Sequence, residues 1–113
     1  MEVRPVQLED SAEWLRMRRS LWDDSLEQHE AEIRTFFASP REEQEVFVYD
    51  RGQQNLGGFL ELNIRTYSEG CSSDRVAYIE GWYVDADLRR QGVGSLLINA
   101  AENWARFLNL TEI

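Results

Sequence analysis

The stretch YIEGWYVDADLRRQGVG, residues 78–94, runs from a segment rich in aromatic and β-branched residues into a glycine-containing turn. The first part, which begins near Val76 and ends at Val84, predicts a strand. The turn is followed by apolar residues at helical spacing, namely Val93, Leu96, Leu97, Ala100, Ala101, Trp104 and Leu108. Strand, turn and helix together predict a site where backbone N–H groups converge on an anion at a helix N-terminus.

The turn itself suits phosphate oxygens. It lacks the Lys-Ser/Thr pair of a P-loop and the three-glycine spacing of a dinucleotide fingerprint, so neither of those sites is predicted. The candidate phosphate ligands are the side chains of Arg89 and Arg90 and the backbone around Gln91, Gly92, Val93, Gly94 and Ser95. The alternative is an ordinary strand-to-helix turn with two solvated arginines.

The chain upstream of this stretch predicts a strand followed by two helices. Residues 1–7 form the predicted strand, and a capping box of Asp10 and Glu13 begins a helix that reaches about residue 22. The apolar stripe of this helix comprises Trp14, Leu15, Leu21 and Trp22. A second, short helix is indicated by Ile33, Phe36 and Phe37 and ends at Pro40.

The middle of the chain predicts a hairpin. Residues 46–49 and 56–65 are its strands, and residues 50–52, with the sequence Asp-Arg-Gly, are its turn. After the last helix, residues 110–113 have the composition of a further strand. Strands and helices in this order predict an α/β domain.

Length and charge limit the kinds of partner. The chain of 113 residues is long enough for one domain, residues 1–113, and without an apolar span or a leader it is expected to be cytoplasmic. Its 21 acidic and 12 basic residues, all of the latter arginine, give a net charge of −9. Such a chain repels nucleic acids and acidic membranes and attracts small cations such as polyamines and aminosugars, although the charge also favours solubility.

Cys71 and His29 are the only cysteine and the only histidine. An internal disulfide needs a second cysteine, and a zinc site or a Cys-His nucleophile needs partners that the sequence does not indicate. No metal is therefore predicted, and neither residue receives a role.

The stretch at residues 78–94, in the order strand, two helices, hairpin, strand and helix, resembles the acetyl-CoA-binding motif of the GCN5-related N-acetyltransferases. Within that superfamily the chain is most similar to the aminoglycoside 6'-N-acetyltransferases, through Ser20-Leu21-Trp22, Tyr67-Ser68-Glu69-Gly70-Cys71 and Tyr78-Ile79-Glu80-Gly81. The resemblance implies an α/β fold with a mixed central sheet flanked by helices. It also implies direct transfer of acetyl from acetyl-CoA to a primary amine of an aminoglycoside, with a polyamine or a protein amine as the alternative acceptor.

Glu80 is the candidate catalytic residue. Burying a charged residue in an otherwise apolar strand is unfavourable without a partner or a task. A carboxylate in a cleft can take the proton that an ammonium group must lose before it attacks a thioester. The resemblance places the catalytic or acceptor-binding acid at this position, and the alternative is a Glu on the solvent side of the strand.

The resemblance also implies that the strand carrying Glu80 binds the co-substrate. Gly81 is expected to mark a β-bulge, with a simple twist defect as the alternative. Pantetheine is expected to pair with the backbone of the residues that follow, Trp82, Tyr83 and Val84. One of their N–H groups is the candidate oxyanion donor.

Trp22 and Tyr67 are expected to line the acceptor pocket, because aromatic faces suit an aminosugar that carries ammonium groups. Core packing is the alternative for Trp22. The acidic residues Asp23, Asp24 and Glu27 would attract a polycation, or they form a solvated helix start.

The resemblance covers about the first three quarters of the family's pattern, so the chain is expected to be incomplete at its C-terminus. The family's usual general acid, a tyrosine, would lie beyond residue 113. An uncovered sheet edge and the apolar face of the last helix then predict a homodimer that forms through that edge and helix. The competing hypothesis is a non-catalytic fragment that binds CoA or only associates with itself.

Overall fold

Four antiparallel strands, each paired with the next in chain order, form one sheet in the computed structural model, which describes residues 1–66 and 75–110. The elements are β1 (Glu2–Pro5), α1 (Ser11–Leu21), α2 (Leu26–Ala38), β2 (Gln44–Gly52), β3 (Asn55–Thr66), β4 (Arg75–Val84) and α3 (Val93–Phe107). Short 3-10 turns, Leu8–Asp10 and Ala86–Leu88, precede α1 and follow β4. The predicted order of strand, two helices, hairpin, strand and helix is confirmed.

Helices cover both faces of the sheet, and β3 contributes to both cores. Phe59 packs with Trp14 and Met17 beneath α1 and α2, whereas the next residue, Leu60, packs with Leu97 beneath α3. Each of these side chains is at most 1% exposed. Successive strand residues point to opposite faces, so β3 is held from both sides in the middle layer of the fold.

All strand pairs among the described residues are antiparallel. The parallel pair that the expected mixed sheet requires is not among them. Residues 67–74, with the predicted loop that carries Tyr67 and Cys71, and residues 111–113, where the predicted last strand would continue, lie outside the described residues. No described helix has the length and apolar character needed to cross a bilayer.

The predicted capping box at the start of α1 is wrong. A preceding 3-10 turn already gives Asp10 a φ of −83° and a ψ of −2°, and its side chain makes no capping hydrogen bond to α1. The Asp10 carboxylate instead accepts hydrogen bonds from the Gln7 N–H at 2.7 Å and from Arg4 at 2.8 Å. Glu13 accepts the Leu56 N–H at 3.0 Å and so joins α1 to β3.

The hairpin turns later than predicted. β2 continues through residues 50–52, Gly52 pairs with Asn55, and Gln53 and Gln54 form the turn. These two residues have φ values of 57° and 64°. Two successive left-handed residues match the twist of the flanking strands, but glutamine is not a usual residue for such a turn, so the sequence favoured the Asp-Arg-Gly segment.

α3 buries a narrower stripe than the sequence predicts. Leu97 and Ala101 are fully buried, whereas Leu96 is 48% exposed. Because α3 packs on one face of the sheet only, residues at the flank of its apolar stripe remain accessible to solvent. α2 ends before Pro40, as predicted.

Candidate functional site

A cleft of about 560 Å³ lies between the α1 and α2 pair and the sheet. Its described lining includes four carboxylates and one guanidinium, those of Asp24, Glu32, Glu61, Glu80 and Arg18. Aromatic walls are contributed by Trp14, Trp22 and Phe36. Surplus negative charge beside aromatic surface suits a ligand that carries ammonium groups on an apolar ring.

A β-bulge brings Glu80 into the lining of this cleft. In the ladder between β3 and β4, Glu61 pairs with Gly81, but the next residue, Leu62, pairs with Ile79. Glu80 is therefore the extra residue on β4. The bulge expected at Gly81 is confirmed, and Glu80 lines the cleft instead of the solvent side of the strand.

Trp22 follows the last residue of α1 and reaches the same bulge. A Cβ on Gly81 would lie 2.4 Å and 2.6 Å from two carbons of the Trp22 ring, so the ring packs directly on the β4 backbone. It also packs on Phe59, with 6.1 Å between ring centroids, and stacks on His29 at 6.5 Å. Trp22 is half-buried and does both things that the sequence left open: it packs against the core and it lines the cleft.

Glu80 is paired with Arg65 of β3. Nη2 of Arg65 donates to both carboxylate oxygens of Glu80, at 2.9 Å and 3.0 Å, and Nε donates at 3.3 Å. Nδ2 of Asn63 adds a longer bond of 3.4 Å. The Arg65 guanidinium also lies 3.8 Å from the centroid of the Tyr78 ring. These contacts fix the orientation of the Glu80 carboxylate at the cleft.

A second cleft carboxylate, Glu61 of β3, was missed by the sequence analysis. Its Oε2 accepts hydrogen bonds from Nη1 of Arg18 at 2.6 Å and from Nε1 of Trp14 at 3.0 Å. Arg18 is itself only 5% exposed, donates to Glu32 and lies 4.9 Å from the centroid of the Trp22 ring. The floor of the cleft is therefore an ion-paired network built from α1, α2 and β3.

Glu61 did carry a signal in the sequence. It lies between Leu60 and Leu62 in an apolar strand, the same pattern that singled out Glu80. Burial raises the pKa of Glu61 above its ordinary value, while the charge of Arg18 and the hydrogen bond from Trp14 oppose that rise.

His29, which received no role from the sequence, orients Arg18. Its Nδ1 accepts a hydrogen bond from Nε of Arg18 at 3.2 Å. Because that guanidinium nitrogen can only donate, the ring proton of a neutral His29 lies on Nε2, which faces the Trp22 carbonyl oxygen at 3.4 Å. Among the other residues predicted for the acceptor, Asp24 lines the cleft, Asp23 and Glu27 are exposed, and Tyr67 is outside the described residues.

The predicted phosphate turn has open backbone donors. Gly92 is the N-cap of α3 with a φ of 87°, and Arg90 also has a positive φ, of 67°. The first intrahelical bond runs from the Leu96 N–H to the Gly92 carbonyl at 3.1 Å. The amides of the first helical turn, at Val93, Gly94 and Ser95, therefore have no intrahelical partners.

The side chains of Arg89 and Gln91 form hydrogen bonds with the backbone that precedes this turn. Nε of Arg89 donates to the Val84 carbonyl at 2.8 Å, and Nε2 of the Gln91 side chain donates to the Asp87 carbonyl at 2.9 Å. Both side chains are exposed, as is that of Arg90. Arg89 and Arg90 precede the open amides in the sequence, and their guanidinium groups form no ion pair in the described part of the chain.

The end of β4 lies between the cleft and this turn. Trp82 is 49% exposed, and a Cβ on Gly94 would lie 3.1 Å from its ring. Tyr83 stacks on Phe59 and donates its hydroxyl to Asp85 at 3.0 Å. Among the described strands β4 is paired on one side only, so alternate residues direct backbone N–H and C=O groups away from β3.

An ion-pair network that was not predicted ties α1 to the segment after β4. Arg16 of α1 donates to Asp85 at 3.1 Å and to the Leu56 carbonyl at 2.9 Å. Arg51 of β2 donates to Asp87 at 2.7 Å. These contacts fix the position from which the phosphate turn begins.

The chain is similar to proteins of known family. The model of the Acetyltransferase (GNAT) family matches residues 12–113. The chain is 46% identical over 112 residues to an aminoglycoside N(6')-acetyltransferase type 1 of Klebsiella aerogenes, covering 97% of this chain and 74% of the relative. A relative with the same description from Acinetobacter genomosp. 13 is 35% identical, with coverage of 94% and 72%.

Solved structures of aminoglycoside 6'-N-acetyltransferases are also similar to this chain. The apo aminoglycoside antibiotic 6'-N-acetyltransferase of Acinetobacter haemolyticus superposes with a TM-score of 0.87 at 31% identity, covering 99% of this chain and 76% of the other. AAC(6')-Iy in complex with the bisubstrate analogue CoA-S-monomethyl-acetylneamine has a TM-score of 0.84 at 25% identity, with coverage of 98% and 75%. The chain thus spans about three quarters of the length of these relatives.

Proposed function

Because the chain belongs to the acetyltransferase (GNAT) family, we propose that it transfers the acetyl group of acetyl-CoA to the 6'-amino group of an aminoglycoside. The observation that carries the proposal is the meeting of Glu80 and Trp22 at the β4 bulge, on a cleft with surplus negative charge. The relatives described as aminoglycoside N(6')-acetyltransferases support the choice of acceptor.

Acetyl-CoA is proposed to bind along the end of β4 and the turn that follows. The amides of Val93, Gly94 and Ser95 and the helix N-terminus would hold the pyrophosphate, with Arg89 and Arg90 beside it. Pantetheine would pair with the backbone at the end of β4, at Trp82, Tyr83 and Val84. This edge of β4 is not covered by another described strand. This placement brings the thioester to the bulge.

The transfer itself needs a neutral amine. Glu80, oriented by Arg65, would accept a proton from the 6'-ammonium directly or through water. The amine nitrogen then forms a bond to the acetyl carbonyl carbon, and a β4 N–H stabilises the developing oxyanion. As the carbon–sulfur bond breaks, the nitrogen loses its second proton to water and the thiolate takes up a proton from water, which releases CoA. No residue of the chain becomes acetylated in this scheme.

A polyamine or a protein amine remains the alternative acceptor. The cleft favours an aminosugar because it combines carboxylates with the half-buried face of Trp22. A linear polyamine has ammonium groups but no ring that can lie on an aromatic side chain.

The test compares aminoglycosides that differ at the 6' position, where neomycin carries an amine and paromomycin a hydroxyl. Release of CoA thiol from acetyl-CoA by the 113-residue chain is expected with neomycin and not with paromomycin. Spermidine is the matched polycation without a sugar ring. Equal rates with neomycin and paromomycin would contradict transfer to the 6'-amine. Faster turnover of spermidine than of neomycin would favour the alternative acceptor. CoA binding without turnover of any acceptor would favour a non-catalytic fragment.

We further propose that the chain acts as a homodimer in the cytoplasm, where acetyl-CoA is available. Leu96 and Phe107 on α3 are 48% and 83% exposed, and exposed apolar side chains on one helix favour self-association. Sedimentation equilibrium at micromolar concentration is expected to give twice the mass of 13.3 kDa. A monomer under those conditions contradicts this proposal, and cell fractionation tests the location.

A further inference from the structure

The two carboxylate oxygens of Glu61 have different surroundings. Both hydrogen bonds to this side chain, from Arg18 and Trp14, end on Oε2. Among the described residues no hydrogen bond ends on Oε1. The side chain is 13% exposed and lines the cleft. Glu61 is thus a largely buried carboxylate that is held rigidly by one oxygen while the other is left for a ligand.

Glu80 differs in this respect, because both of its oxygens accept hydrogen bonds from Arg65. Of the two strand carboxylates at the cleft, Glu61 therefore has the larger unused capacity to accept hydrogen bonds. An oxygen with no donor beside it in a partly desolvated site favours a ligand that brings its own donor.

The charges around Glu61 select a cation. Arg18 is shared between Glu61 and Glu32, and its Nε–H is donated to His29. One guanidinium thus faces two carboxylates, and Asp24 adds a third at the cleft lining. The local excess of negative charge favours an ammonium group over a neutral hydroxyl at Oε1.

The position of Glu61 separates it from the reacting centre. It lies on β3, whereas the proposed acetyl donor approaches along the edge of β4 that no other described strand covers, and neighbouring strands are about 4.8 Å apart. A group bound at Glu61 is therefore farther from the thioester than one bound at Glu80.

We propose that Oε1 of Glu61 binds an ammonium group of the acceptor other than the one that is acetylated, so that Glu61 is a specificity-determining residue. This inference rests on the proposed function, because it takes an aminoglycoside as the acceptor. Arg18 and Trp14 are positioning residues that hold the carboxylate in place.

Calorimetric titration of kanamycin A tests the inference. Glu61→Gln keeps an oxygen that can accept from Arg18 and Trp14, removes the charge and turns the free oxygen into an N–H donor. Loss of a charge-assisted bond is expected to weaken kanamycin A binding about tenfold or more, with CoA affinity unchanged. Glu45→Gln is the matched control, since Glu45 is another arginine-paired strand carboxylate and is not in the cleft lining.

Equal kanamycin A affinity in Glu61→Gln and the unsubstituted chain would overturn the inference. If Glu61→Gln does not fold, Glu61→Asp is used, because it keeps the charge and shortens the side chain by one methylene. Weaker kanamycin A binding by Glu61→Asp than by the unsubstituted chain then supports the inference, and equal binding overturns it. A chain that binds kanamycin A but does not acetylate it contradicts the proposed function alone, because calorimetry still reports on Glu61. A chain that does not bind kanamycin A contradicts both.

Discussion

The indole ring of Trp22 occupies the space that a side chain on Gly81 would need, with ring carbons 2.4 Å and 2.6 Å from the position of an added Cβ. The Trp22 ring therefore packs on the backbone at Gly81, where only a glycine leaves room for it. This contact sets the wall of the cleft next to Glu80, so the geometry of the candidate site depends on it.

Gly81→Ala is expected to displace the Trp22 ring. Overpacking at a rigid contact costs about 1–3 kcal/mol, so the free energy of unfolding in urea should fall by that amount, and aminoglycoside affinity should fall with it. The matched test is the double variant with Trp22→Leu, which removes the clash. The two changes together should destabilise the chain less than the sum of the single changes, and strict additivity would show that the contact is not formed.

Gly92→Val is expected to weaken CoA binding. A Cβ at Gly92 would meet nothing within 4 Å, but the φ of 87° is one that a β-branched residue rarely adopts. A penalty of about 1–2 kcal/mol for the left-handed conformation corresponds to roughly a tenfold loss of affinity if the turn must keep its shape to bind. Gly92→Asn is the control, because asparagine tolerates this conformation. Calorimetry that gives the same CoA affinity for Gly92→Val and the unsubstituted chain rules out the pyrophosphate placement.

Glu80→Gln is expected to lower kcat by about a hundredfold or more if its carboxylate takes the proton of the amine. CoA affinity should stay unchanged, because Glu80 lies at the bulge and not in the phosphate turn. Glu45→Gln, which removes a strand carboxylate outside the cleft lining, should keep the rate of the unsubstituted chain. The assay is acetylation of kanamycin A followed across neutral pH. A Glu80→Gln rate that matches the unsubstituted chain over that range would make Glu80 a structural residue.

Local patterns in the sequence were sufficient for the secondary structure around residues 78–94, because strand composition, turn glycines and helical spacing are all read within a few residues. They also located Glu80 and Gly81. The network at Glu61 depends on α1 folding over β3, which brings together Arg18 and Glu61 from 43 positions apart. No local pattern reports that contact, although the apolar neighbours of Glu61 were visible.

The turn errors have a similar origin. Asp10 has the residue type of a helix cap, but its carboxylate instead accepts hydrogen bonds from Arg4 of β1 and from the Gln7 N–H. The hairpin turn uses Gln53 and Gln54, which have no special preference for positive φ, because the strand register on both sides leaves them at the tip. In both places contacts between elements outweighed the local preference of the residue.

Asp10→Asn is expected to destabilise the chain in a pH-dependent way. The hydrogen bond and charge of Arg4 and the Gln7 N–H lower the pKa of Asp10 below its ordinary value of 3.8. A carboxyl group whose pKa is lower in the folded state contributes stability above the unfolded pKa, and that stability is lost as the pH falls through the folded pKa. The variant should be less stable by about 1 kcal/mol at pH 7, and the difference should shrink as the pH falls below about 4.

Urea unfolding at pH 7 and near pH 3 measures this difference. Glu9→Gln, a change at an exposed neighbouring position, should alter the free energy of unfolding by less than about 0.5 kcal/mol at pH 7. A difference for Asp10→Asn that stays constant from pH 7 to pH 3 would show that the ion pair with Arg4 does not contribute to stability.

Transfer to the 6'-amine is tested by the position of the acetyl group in the product. The chain is incubated with acetyl-CoA and kanamycin A, and the product is analysed by tandem mass spectrometry and by NMR of the sugar protons. A single acetyl group on the 6'-nitrogen is expected. An acetyl group on another nitrogen, or no acetylated kanamycin from folded protein that binds both substrates, would contradict it.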